Sequence, residues 1–160
     1  MNFNHQAFSA GFLKAAELAF GAPNETSGRK GDELYPGATK RDIADAEARM
    51  KLKLPASYKK FLSFANGGTV HNRTLRLCSV GKDEYPAESL VSSHESLLKN
   101  DHPLFCIGRT ASTPFGFLRG DLHLPDPPIY VWKFENGKPP KKIGNSLAEF
   151  LHQPEQLGQW

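Results

Sequence analysis

Cysteine is scarce in this chain: 160 residues hold two, Cys78 and Cys106, too far apart to form a Cys-x-x-Cys pair. A disulfide-stapled scaffold is therefore excluded, and the apolar stretches around both, Leu75–Cys78 and Leu104–Cys106, predict buried free thiols. The histidines His5, His71, His94, His102, His123 and His152 are scattered, with no His-Glu-x-x-His, so the pattern predicts no metal site and no bound cofactor. Gly28-Arg-Lys-Gly31 lacks the spacing of a phosphate loop, and the prolines of Gly137-Lys-Pro-Pro-Lys141 remove the N–H groups such a loop needs. Asp121 and His123 are two polar side chains one residue apart, which reads as a turn feature and not as a catalytic pair. No catalytic residues are assigned, and the chain is not expected to be an enzyme. Long hydrophobic runs are missing too: nothing approaches the roughly 18 apolar residues that span a bilayer. The start lacks the basic residues and apolar block of a secretory signal, so a cytoplasmic protein without a membrane partner is expected.

What is present is ordinary in bulk and specific in detail. Apolar residues make up 39% and charged residues 23%, the balance of a soluble globular protein, and 160 residues fit one domain. Such a length buries roughly 70% of its unfolded surface and needs no staple to fold. The clearest signal runs from Thr39 to Gly68. Thr39 followed three residues later by Asp42 resembles a capping box, and Ile43, Ala46, Glu47 and Met50 recur on one helical face. Leu54-Pro55 restarts the chain, since proline suits the first helical position. Tyr58, Phe61, Leu62 and Ala65 form a second apolar stripe, and Asn66-Gly67-Gly68 supplies residues able to end a helix in the left-handed conformation. Glu47 is the exception on its face. A carboxylate there needs a partner, and the spacing predicts that it bridges to the helix starting at Pro55 or to backbone of the Met50–Leu54 turn.

The remainder sets the fold class. Residues 3–20 have helical spacing, and the glycine- and proline-broken stretch Gly21 to Gly37 reads as an exposed loop. Strand patterns follow at Thr69–Val70, Thr74–Val80, Phe105–Gly108, Gly116–Arg119, Ile129–Phe134 and Lys141–Ile143; residues 87–99 fit either a short helix or irregular structure. Asn145 or Ser146 caps a closing helix through His152. Helices first, strands through the middle and a helix at the end predict an α+β single domain over 1–160, with a mostly antiparallel or mixed sheet of about four to six strands. Its parts are an N-terminal helix and loop (1–38), a helix pair (39–68), a strand-rich region (69–144) and the closing helix (145–153).

Charge is uneven. The net is only +3, yet residues 83–101 hold Asp83, Glu84, Glu88, Glu95 and Asp101 against Lys99 alone. This segment reads either as a solvated face or as an electrostatic docking patch for a basic partner. Arg73, Arg76, Lys133, Lys141 and Lys142 with Tyr130 or Trp132 are the residues a nucleic-acid face would use, but no RNA-binding strand signature accompanies them. Direct nucleic-acid binding is therefore not expected.

The residues of the helix pair, Ile43, Glu47, Leu54-Pro55, Tyr58-Lys-Lys-Phe61-Leu62 and Asn66-Gly67-Gly68, resemble the signature of the SMI1/KNR4 (SUKH) superfamily. Cys106-Ile-Gly108, Pro128–Phe134 and Ser146–Leu151 are similar to its later elements; Ser112–Leu118 stands where the family often has a Gly-Asp turn. The resemblance implies a protein-binding fold, of the kind bacterial immunity proteins use to neutralise polymorphic toxins by stoichiometric binding. It also leaves open a regulatory or scaffold module without a toxin, as in eukaryotic relatives, and a small-molecule binder. On the toxin reading the partner is a protein toxin such as a nuclease, and the acidic segment is its expected contact.

Overall fold

The computed structural model describes residues 33–70, 75–81, 89–110, 113–133 and 137–152. The helix expected over 3–20 and the residues before Glu33 lie outside them.

Seven strands form one sheet in sequence order: β1 (Glu33–Pro36), β2 (Ala65–Val70), β3 (Leu75–Leu77), β4 (Leu104–Arg109), β5 (Pro114–Leu118), β6 (Ile129–Val131) and β7 (Lys141–Gly144). Each pairs antiparallel with its sequence neighbours. The helices are α1 (Lys40–Met50), α2 (Ala56–Phe64), α3 (Leu90–Lys99) and α4 (Leu147–His152), with a 3-10 turn at Arg119–Asp121. The class is α+β, as the pattern predicts.

Seven strands exceed the expected four to six, and the difference lies in the stretch read as loop up to Gly37. There Glu33–Pro36 pairs with β2, Leu34 opposite Gly68. A four-residue strand ended by proline has no periodicity of its own; its partner lies about thirty residues ahead. The strand-rich region also contains α3, which decides for a helix over Leu90–Lys99; residues 87 and 88 of the stretch lie outside the described residues. The Gly116–Arg119 strand is displaced: β5 ends at Leu118 and Arg119 opens the 3-10 turn.

Local chemistry builds the helix pair. Thr39 caps α1 reciprocally, its Oγ1 accepting from the Asp42 N–H while Asp42 Oδ2 accepts from the Thr39 N–H, each at 3.1 Å. Lys51, at φ 55°, ends the helix in the left-handed region. Pro55, expected at the first helical position, is instead the N-cap of α2, whose first residue is Ala56. Because it offers no side-chain cap, an orphan N–H is met from elsewhere: Ser57 donates to the Pro125 carbonyl at 2.9 Å.

The exit from α2 differs from expectation. The helix stops at Ala65 in extended conformation (φ −142°), and Asn66, Gly67 and Gly68 already belong to β2. Gly67 is still required, for another reason. At φ 77° it passes so close to β3 that a Cβ would lie 2.7 Å from the carbonyl oxygens of Leu77 and Cys78.

The core lies between the helices and one sheet face. Phe105 stands opposite Phe117, and Phe115 opposite Val131. Tyr58 meets Phe117 edge-on at 5.7 Å, and Phe115 packs at 5.0 Å on Phe150 of α4. Gly108 leaves room for the Phe115 ring, which a Cβ there would overlap. Cys78 and Cys106 are buried and unbridged. Among the described residues no helix is long and apolar enough to cross a membrane.

Candidate functional site

The signature segment folds around Glu47. It lies on the buried face of α1, 6% exposed, and its Oε1 accepts from the Leu54 N–H at 2.8 Å. Lys53 reaches Oε2 at 3.2 Å and Lys59 reaches Oε1 at 3.6 Å. Burial alone pushes the Glu47 carboxyl up, but the Leu54 hydrogen bond, the Lys53 bond and the two lysine charges outweigh it and hold it below its usual value. Glu47 thus locks the turn between α1 and α2.

Asn66 does the same job between strands. Its Nδ2 donates to the Val80 carbonyl and its Oδ1 accepts from the Val80 N–H, both at 2.8 Å. All ten signature residues, Ile43, Glu47, Leu54, Pro55, Tyr58, Phe61, Leu62, Asn66, Gly67 and Gly68, are buried. All ten are packed inside the fold.

Of the acidic residues, Asp83, Glu84 and Glu88 lie outside the described residues. Glu95 is exposed on α3, and Asp101 is exposed at φ 53° just past its end. The chain leaves toward residue 83 from Gly81 and returns at Ser89, the α3 N-cap. Gly81 and Val91 line a half-open groove of about 730 Å³ against α1. Arg41, Asp42, Asp45 and Arg49 also line it, with buried Ala46. The groove thus has charged walls and small apolar groups, and Glu95 and Asp101 are not among its lining residues.

The cations considered for nucleic acid divide between faces. Arg76 stands opposite Arg109 and Lys142 opposite Tyr130, but Lys141 pairs with Val131 on the other parity. Trp132 is half-buried and donates through Nε1 to the Lys138 carbonyl at 2.8 Å. Arg73 lies outside the described residues. Among the described residues no His, Cys, Asp and Glu side chains gather in a metal-holding group.

One cluster escaped the sequence reading. His94 of α3, His102 before β4 and Arg119 after β5 meet at the end of the sheet. His94 had a usable signal, four residues after Leu90 on the apolar side of a helix. His102 and Arg119 had none, being joined only by the β4–β5 pairing.

The family model for SMI1/KNR4 (SUKH-1) matches residues 37–153, most of the chain and every described helix and strand except β1. The chain belongs to the SMI1/KNR4 (SUKH-1) family. The match begins at the last residue before the α1 cap region and runs past α4, so the SUKH-1 unit comprises the helix pair, α3, six of the seven strands and the closing helix. No curated protein sequence matches the chain.

Proposed function

We propose that this SUKH-1 protein is an immunity protein that binds a toxin domain and neutralises it by occupying its working surface, without catalysis of its own. Membership of the family carries the reading, because the family includes immunity proteins. The inward orientation of the signature residues supports it. The buried signature residues build the platform, which leaves partner contact to exposed groups.

The proposed contact is the acidic segment Asp83, Glu84, Glu88, Glu95 and Asp101, of which Glu95 and Asp101 are exposed on and just past α3. Opposite charge on a basic toxin, such as a nuclease domain, would steer encounter there. A tight complex needs on the order of 1,600 Å² of total buried surface, far more than the groove provides, so the flanking helix surfaces take part as well.

The test is rescue. Where a candidate toxin domain is found encoded next to this protein, cells expressing that domain should survive when this chain is co-expressed, and the two proteins should co-purify at a fixed ratio. Survival without a complex, or a complex without survival, overturns the proposal. The second outcome favours a scaffold module of the same fold.

A further inference from the structure

Arg119 bridges the imidazole of buried His94 and the backbone carbonyl of buried His102. Its Nε donates to the His102 carbonyl at 2.8 Å, and its Nη1 lies 3.4 Å from His94 Nδ1. Its Nη2 is buried with no hydrogen-bond partner among the described residues, and no carboxylate there lies within ion-pairing distance. A guanidinium only donates, so His94 Nδ1 must accept and the ring carries its proton on Nε2. His102 is fixed the same way: its Nδ1 accepts from the Leu104 N–H at 3.1 Å. His94 is 4% exposed and packs on Phe105; His102 is 2% exposed and meets Trp132 edge-on at 4.5 Å. Each acceptor nitrogen faces a donor that cannot reverse. A second proton on either ring breaks that bond and sets a cation beside the Arg119 charge.

We propose that His94 and His102, held neutral around the Arg119 guanidinium, form an acid-sensitive latch that fastens α3 and the turn after it to the β4–β5 end of the sheet and releases them on protonation. Among the described residues, Arg119 and Glu95 act on His94, Arg119 acts on His102, and Asp101 acts on Arg119. The helix α1, packed on α3, turns Arg41, Asp42, Asp45 and Arg49 to the groove beside Val91. Burial is the first cause and holds both imidazoles below their ordinary value of 6.5; the Arg119 charge adds to it. The Leu104 contact at His102 and the Glu95 charge at His94 oppose it without reversing it. The sign follows. Above pH 6.5 the closed state is at full strength; as pH falls below it, the released chain binds protons the closed state refuses, until the depressed values are reached. Resting on the partner reading above, release also displaces Glu95 and Asp101, so acid would weaken the complex. The latch itself is tested without a partner.

The experiment uses the full chain carrying Trp160→Phe, which leaves Trp132 as the sole tryptophan. Trp132 fluorescence should be quenched by protonated His102 with a midpoint below pH 6.5, and His102→Asn should abolish that step. Urea unfolding from pH 7.5 to 5.5 should show the unfolding constant rising by up to roughly tenfold per pH unit for each histidine. His94→Asn and His102→Asn, which keep an acceptor near the Nδ1 position, should each flatten that slope even where they lower absolute stability. Should a variant fail to fold, histidine NMR titration of the unaltered chain decides alone. Midpoints below 6.5 with an Nε2–H tautomer support the latch. Midpoints at or above 6.5, an Nδ1–H tautomer, or unchanged slopes overturn it.

Discussion

Two side chains of the signature have opposite energetic standing although both are buried. Glu47 is fully engaged, and its removal orphans the Leu54 amide inside the α1–α2 turn. Glu47→Ala should therefore cost roughly 1–3 kcal/mol in chemical unfolding, whereas Glu47→Gln, which keeps an acceptor, should cost less. Because the Glu47 carboxyl is held below 4.5, its contribution is present above that pH and is lost as pH falls through the lower folded value. The Gln variant should lose that part of the acid dependence. Tyr58 is the contrast: its ring touches Phe61 and Phe117, but its hydroxyl has no hydrogen-bond partner among the described residues, and burial, then Cys78 and Cys106, raise its pKa well above the usual. Tyr58→Phe should leave stability unchanged or raise it by up to about 1 kcal/mol, measured by the same unfolding curves. A loss larger than that would mean the hydroxyl has a partner. Glu47 could be read from sequence because a charge on an apolar helical face demands an explanation nearby. The Asn66 role could not, since its partner Val80 lies fourteen residues on and only the β2–β3 hairpin brings them together.

At the scale of elements, the helices announce themselves and the strand junctions do not. Caps, spacing and proline positions are local, so α1, α2 and α4 fall where their residues dictate, with Ser146 accepting from the Glu149 N–H at 3.0 Å to start α4. The α2–β2 junction was misread because Asn-Gly-Gly satisfies a helix stop and a tight strand crossing equally well. Only the carbonyls of Leu77 and Cys78 tell them apart. Two changes probe this junction. Gly67→Ala forces a Cβ against those carbonyls from a left-handed backbone and should destabilise by at least about 1–3 kcal/mol. Asn66→Ala strands both backbone groups of Val80 and should cost about 1–3 kcal/mol for each. If the two share one strained hairpin, the double variant will cost less than the sum.

At the scale of the whole molecule, Glu95 and Asp101 are exposed along and beyond α3, whose Val91 lines the groove with Gly81; residues 82–88 lie outside the described residues. Reversing Glu84, Glu88 and Glu95 to lysine should slow association with the cognate toxin by tenfold or more and remove most of its salt dependence, read by stopped-flow at two ionic strengths. Equal rates would move the contact elsewhere. The α+β class was accessible from element order alone, because helices and strands occupy separate stretches. The seventh strand was hidden because a short edge strand borrows its geometry from the neighbour it pairs with.

A sheet whose strands neighbour one another in chain order has a further property. Every ladder closes over a connection that can lengthen or shorten without threading past another, and doubling such a connection costs only about 0.6 kcal/mol in closure entropy. Hairpin tips and the stretch between β3 and α3 can thus be rewritten generation after generation, each rewrite confined to one rung. A scaffold with that wiring can change what it exposes while its ladder stays in place.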